Sequence, residues 1–319
     1  MSKFPLSAVR PDFLQKTDYD LMICALGFER RASAIAGVAR AQKGIVFGFD
    51  HNKNCSYDRN FRFFQSIGFS LFSNLTNSEF SASFRSTFED AVNSIFQTDR
   101  LRSLRICIDV SSFDRFRLAE MVSTISSLAM GSLRESSIDI DFAYSIAKFS
   151  PPRPVLGRNE FAGPVHRGFA GRFSDPGRPL ALIAGLGYEM GKVMGAAEYL
   201  QASRVVTFFP DSPIVQFEPE VLKANSSLLG SLRPEDRINY PVSDPFRTIA
   251  ILDAAVRGLD DEYNIVILPG GPKIFAVACL VLQRRYREIS VWRVSSGRSI
   301  NAHDVEASGH IVGFRWSPA

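Results

Sequence analysis

At 319 residues and 45% apolar composition, the chain is long enough for about two domains of roughly 150 residues, each with its own core. No apolar run approaches the roughly 20 residues of a membrane span, and Met1-Ser2-Lys3-Phe4-Pro5-Leu6 lacks the regions of a signal peptide, so a cytoplasmic protein with no membrane association is expected. A formal charge of +4 permits an anionic ligand without requiring one.

The first predicted strand, 21–26, is apolar and runs into Gly27, Phe28 and Glu29. A small-residue helix pattern over 32–41 follows, then a strand over 44–49 closed by Asp50 and His51. Further on comes a strand over 104–110, the turn Ser111-Ser112-Phe113-Asp114-Arg115, an amphipathic helix to about Leu128 and a strand over 138–144. Residues 150–179 then hold six of the 17 prolines, which excludes a regular helix or a central strand. The interleaved Phe161, Phe169 and Phe173 favour an ordered crossing segment over a disordered linker.

After this segment the pattern starts again. A strand over 180–185 runs into Leu186-Gly187-Tyr188-Glu189, which repeats Leu26-Gly27-Phe28-Glu29 at an offset of 160 residues. A helix over 193–200 and a strand over 205–209, closed by Pro210, Asp211 and Ser212, keep the same order. An irregular region contains a helix near 219–232. The strand 264–268, the turn Pro269-Gly270-Gly271-Pro272-Lys273, a helix to about Arg285 and a strand over 289–294 match the second part of the first half. The tail, 297–319, holds an edge strand over 311–316.

Strands that are apolar without alternation are covered on both faces, and strands alternating with helices make a parallel sheet with right-handed crossovers. The fold class is therefore α/β: two tandem, duplicated, Rossmann-like doubly wound domains with mainly parallel sheets. The expected boundaries are 1–149, a crossing segment 150–179, and 180–319.

Ligands of such sheets bind beyond the carboxyl ends of the strands, where strand order reverses. The polar residues there are the candidates. In 269–273, Gly270 and Gly271 allow close backbone approach, the helix start favours an anion, and Lys273 adds charge. The alternative is a tight turn that only caps the helix. The turn is neither GxxxxGK[ST] nor GxGxxG. In the first half, Ser111 or Ser112 can cap the following helix or meet a ligand, and Arg115 matches Lys273 in position. Glu29 and Glu189 can complement a helix start, accept from a ribose hydroxyl, or act as a general base; Asp109 and Asp211 are the other candidate catalytic carboxylates. Phe28 reads as core, while Tyr188 is open between core and base stacking. Gly187, Asp211 and Ser212 complete the candidate ligand-binding set. No metal site is expected: His51, His166, His303 and His310 lack ligand spacing, and so do the four cysteines. No cofactor motif is present either.

A strand, Gly270-Gly271-Pro272-Lys273 and a helix, late in a Rossmann-like domain, resemble the CARF superfamily of CRISPR-associated ligand sensors, which carry Gly-Gly-Thr-Lys there. The resemblance covers the core of the second half and, more faintly, the first. It departs at Pro272, where the family has threonine, and in having no recognisable effector module. It implies binding of a nucleotide or of a cyclic or linear oligonucleotide by Gly270, Gly271 and Lys273. A homodimer and a protein effector partner are further implications. The first functional reading is thus a nucleotide sensor or regulatory subunit in prokaryotic antiviral defence. A nucleotide- or nucleoside-processing hydrolase using strand-end carboxylates is the second, and a scaffold subunit with decayed sites the third.

Overall fold

A computed structural model describes residues 5–51, 53–96, 103–134, 137–152, 160–173, 175–295 and 303–318. In chain order the elements are β1 (Leu6–Ala8), α1 (Phe13–Lys16), β2 (Asp18–Leu26), β3 (Arg40–Phe49), α2 (Tyr57–Ser66), β4 (Ser70–Leu75), α3 (Asn77–Phe96), β5 (Leu104–Asp109), α4 (Arg115–Met130) and β6 (Ile138–Ala147). They continue with β7 (Phe161–Pro164), β8 (Leu180–Gly185), α5 (Lys192–Tyr199), β9 (Arg204–Asp211), α6 (Phe217–Ser231), β10 (Arg237–Pro241), α7 (Pro245–Arg257), β11 (Asn264–Leu268), α8 (Lys273–Gln283), β12 (Ser290–Ser295) and β13 (Ala307–Trp316). The chain forms two compact units, Met1–Lys148 with Ile300–Ala319, and Phe149–Ser299.

The described strands of the first unit are ordered β1-β13-β6-β5-β2-β3-β4, and those of the second β10-β9-β8-β11-β12-β7. Counted from β2 in one unit and β8 in the other, the five parallel strands of each sheet read 3-2-1-4-5, with an antiparallel strand beside the fifth. Both units are therefore Rossmann-like α/β domains, and strand order reverses between β2 and β5 and between β8 and β11. The central strands explain why a parallel sheet forms: β5, β8 and β11 are almost wholly buried, while edge strand β4 is mostly exposed.

The tail does not belong where the sequence pattern puts it. β13 pairs antiparallel with β6 and with β1, so it is an interior strand of the first sheet and not an edge strand of the second half. Arg315 donates to both oxygens of buried Asp141, at 2.7 and 2.9 Å, and Tyr19 Oη donates to the same carboxylate at 2.9 Å. Phe314 and Trp316 are buried against Phe142. The other expected boundary also moves: of the segment 150–179, residues 161–164 form β7, the edge strand against β12. A strand of proline and glycine is tolerated there because one side of an edge makes no ladder.

Other differences are local. The helix expected over 32–41 is a 3₁₀ turn at Arg30–Ser33 followed by further turns, because β3 already starts at Arg40 and leaves too little chain for a helix. Residues 57–96, where no element is predicted above, form α2, β4 and α3. Their signals are present: Thr76 and Glu79 form a reciprocal capping box, and Phe80, Phe84 and Phe88 recur every fourth residue and are buried with Phe47. Of the cysteines, Cys24, Cys107 and Cys279 are buried and Cys55 is exposed. Burial pushes the Cys24 and Cys107 thiols well above their ordinary range.

Candidate functional site

In each unit the reversal of strand order brings two turns together. In the second unit, the turn after β8 meets the turn after β11 through glycines. A Cβ on Gly270 would lie 2.2 Å from the Gly185 carbonyl oxygen, and one on Gly271 would lie 2.3 Å from that of Leu186. One on Gly187 would lie 3.0 Å from the Gly271 nitrogen. Gly271 has φ +70°, which a side chain would strain further. These glycines are thus needed for the two turns to pack backbone against backbone.

Each of the two turns leads into a helix that starts with a lysine. Lys192 opens α5 after Gly191, and Lys273 opens α8. Glu189 Oε1 lies 3.7 Å from Lys192 Nζ, with both side chains partly exposed. Glu189 Oε2 lies 2.6 Å from the position of a Cβ on Gly187, the same position that neighbours the Gly271 nitrogen. Behind the turn, buried Tyr240 stacks on Phe275 at 4.7 Å between centroids. Tyr188 stacks on Phe217 at 6.0 Å and packs, partly buried, against the apolar cluster around Leu186 and Val221. Asp211 ends β9 exposed, and Ser212 Oγ accepts from the Ile214 N–H, a turn that leads toward α6.

In the first unit the equivalent turns also meet, with a serine side chain at the contact. A Cβ on Gly27 would lie 2.9 Å from that of Ser112, where the second unit has Gly271. Glu29 accepts from Arg31 Nε at 2.6 Å, and the Arg31 guanidinium continues to the Ser145 carbonyl at 3.2 Å. Arg31 is buried; burial lowers its pKa, but the Glu29 charge and the Tyr144 hydroxyl outweigh this and raise it overall. A second buried arginine, Arg117, donates to the carbonyls of Gly48 and Leu75, which end β3 and β4. It lies between Phe49 and Phe80, at 3.8 and 4.8 Å from the ring centroids. Burial pulls its pKa down to about 10, so it is still charged at neutral pH.

Several first-unit candidates are engaged within their own unit. Ser111 is fully buried and its Oγ accepts from the Ser145 N–H at 2.8 Å. Asp109, 2% exposed, accepts from the Ser111 N–H, and Glu29 accepts from Arg31. The capping expected of Ser111 or Ser112 falls to Asp114, which accepts from the Arg117 N–H at 2.7 Å. Arg115 is the first residue of α4, as Lys273 is of α8, and is partly exposed. Among the described residues, no group of three or more His, Cys, Asp and Glu side chains could hold a metal ion.

The duplication extends to a residue that the motifs above do not include. On α2, buried Asn60 Nδ2 donates to the carbonyls of Gly27 and Glu29 at 2.9 and 2.8 Å. On α6, buried Asn225 Nδ2 donates to the Gly187 carbonyl at 2.8 Å and to that of Val221 at 2.8 Å. Both asparagines thus hold the same glycine carbonyl of the duplicated turn. Their offset is 165 residues instead of 160, because the linking loops differ in length. A scan for a shared buried polar residue on the helix after each second strand would find them. Asn225→Ala should cost about 1–3 kcal/mol, since it leaves a buried carbonyl without its donor. Urea unfolding measures this, with an unchanged midpoint as the contrary result.

Fold and turns together define the class: a tandem pair of Rossmann-like domains, one with glycine-to-glycine backbone contact where strand order reverses and one with two buried arginines, Arg31 and Arg117, bound near its strand ends. No family model matches the chain, and no curated protein matches it.

Proposed function

We propose that the second unit binds a nucleotide or short oligonucleotide in the crevice between the turns 186–192 and 269–273. The observation that carries this reading is the close approach of Gly187 to Gly271 at the reversal of strand order, flanked by Lys192 and Lys273 at the starts of their helices. Two ammonium groups suit phosphate oxygens, and the glycines let the two turns, with the helix starts that follow them, pack against each other. Gly270, Gly271 and Lys273 are then the principal contacts, with Gly187, Glu189, Asp211 and Ser212 at the rim. The resemblance of Gly270-Gly271-Pro272-Lys273 to CARF turns supports the same class of ligand. On that basis the protein is a nucleotide sensor or regulatory subunit, acting through a protein effector in prokaryotic antiviral defence. The first unit, with Glu29 and Asp109 engaged by its own chain, serves as scaffold.

The test is a thermal-shift screen of the full chain against nucleoside mono-, di- and triphosphates and short linear and cyclic oligoribonucleotides. A ligand at 100 times its dissociation constant adds about 2.7 kcal/mol and raises the melting temperature. The shift should be lost in Lys273→Glu and kept in Arg115→Glu. Absence of a shift with every member of the panel at millimolar concentration overturns the reading.

A further inference from the structure

We propose that the surface formed by the loop 165–173 and the turn after α8, 284–288, binds the backbone of a single-stranded nucleic acid. It lies at the other end of the second sheet from the turns described above, because α8 starts beyond the carboxyl end of β11 and returns the chain to the start of the parallel strand β12. The proposal is therefore independent of the nucleotide reading.

The two segments form one built surface. The Val165 N–H donates to the Val291 carbonyl at 2.8 Å, the Arg172 N–H to the Glu288 carbonyl at 3.1 Å, and Ser290 Oγ to the Phe169 carbonyl at 3.3 Å. Gly171, with φ +72°, lets the loop lie close: a Cβ there would stand 2.5 Å from the Glu288 carbonyl oxygen. Onto this surface the sequence puts Arg167, Arg172, Arg284, Arg285 and Arg287, with Glu288 as the one acid. That imbalance equals the whole formal charge of the chain, +4, so the basic character is concentrated here.

Among the described residues no carboxylate pairs with Arg167, Arg172 or Arg284, and Arg285 shares Asp253 with Arg257. The Arg284 guanidinium lies 3.9 Å from the Phe169 ring centroid and donates to the Gly168 carbonyl, while its buried Nε has no acceptor. Burial, and after it the Arg287 charge, pulls the Arg284 pKa down to about 10, so it stays charged at neutral pH. Phosphates relieve repulsion among such guanidiniums, whose planar forks meet phosphate oxygens bidentately. Aromatic side chains favour a nucleic acid: Phe173, 41% exposed, follows Arg172 directly, and the Arg285 guanidinium lies 5.4 Å from the Tyr286 ring centroid. Arginines beside accessible rings suit a strand of phosphates and stacked bases. A membrane surface calls for an apolar helix face beside the charges, and α8 is buried from Ile274 to Gln283.

Fluorescence anisotropy of the full chain with short single-stranded oligouridylate and oligothymidylate tests this. Wild type should bind with a dissociation constant on the order of 10 μM at about 0.1 M salt. Arg167→Glu/Arg172→Glu reverses two exposed charges and should weaken binding roughly tenfold or more. It should also reduce the slope of log affinity against log salt by about 1.4, the share of two phosphate contacts. Phe173→Ala keeps every charge and should weaken binding about fivefold through lost stacking. Lys223→Glu/Arg247→Glu, an equal change of charge on exposed positions of α6 and α7, should leave it within about twofold. Equal losses in the two double variants reduce the effect to net charge and overturn the proposal. So does absence of wild-type binding, or binding that Phe173→Ala leaves unchanged, which marks a polyanion surface without base contact. Thermal melts check folding, and should the Arg167→Glu/Arg172→Glu variant melt early, Arg172→Gln and Phe173→Ala carry the test.

Discussion

Deleting residues 303–319 is expected to unfold the first unit while the second keeps its own cooperative transition. The deletion removes β13 from between β6 and β1, and with it the Arg315 partner of Asp141, which is 1% exposed. A buried carboxylate stripped of its partner costs about 3–5 kcal/mol. Losing the burial of Phe314 and Trp316 costs about 1.5–3 kcal/mol for each large side chain. Domain stabilities are only about 5–15 kcal/mol, so these losses together consume most of it. The open edge of β6 also becomes a site for pairing with other chains, and the variant should aggregate. The two tryptophans make the outcome readable: Trp316 leaves with the deletion, and Trp292 on β12 remains to report the second unit. Limited proteolysis should then degrade 5–148 and spare a fragment near 149–299. Retention of two transitions at the wild-type temperatures would show that β13 contributes little.

The second large effect separates the two glutamates of the duplicated turn. Glu29→Gln removes the counter-charge of Arg31, whose side chain is 8% exposed, and should destabilise the first unit by about 3–5 kcal/mol. For a unit of this size each kcal/mol lowers the melting temperature by about 2–4 °C. Glu189→Gln removes only a pair whose side chains are 32% and 22% exposed, and should change stability by less than about 1 kcal/mol. Differential scanning calorimetry of the two variants compares them directly. Equal losses would mean that the glutamates play the same structural part, and the contrast drawn between the two crevices would fail.

Much of the architecture is legible along the chain because it depends on local periodicity. Apolar strands without alternation, each followed by a helical pattern, already specify two parallel α/β sheets, and the repeated Leu-Gly-aromatic-Glu marks the first central strand of each. Turns at the strand ends are legible for the same reason, since Gly270 and Gly271 announce a close approach in any context. Residues 57–96 were also within reach of sequence rules, through the capping box at Thr76 and Glu79 and the four-residue spacing of Phe80, Phe84 and Phe88.

What pairs with what was not legible. The ten residues of β13 look like an edge strand of whichever sheet is nearest in sequence; their place beside β6 depends on Arg315 finding Asp141, 174 positions away. Likewise Glu29 and Glu189 stand in the same motif, and only the folded chain separates a carboxylate bound by a buried arginine from one in a partly exposed pair with Lys192. By itself the sequence determined the fold class, the duplication and the strand ends where a ligand can bind. The tertiary structure alone decided the sheet of the last strand and which of the two glutamates is bound by a buried arginine. The division has one physical cause: backbone conformation and burial periodicity are set by neighbours a few residues apart, whereas ion pairs, carbonyl contacts and sheet edges join groups that only folding brings together.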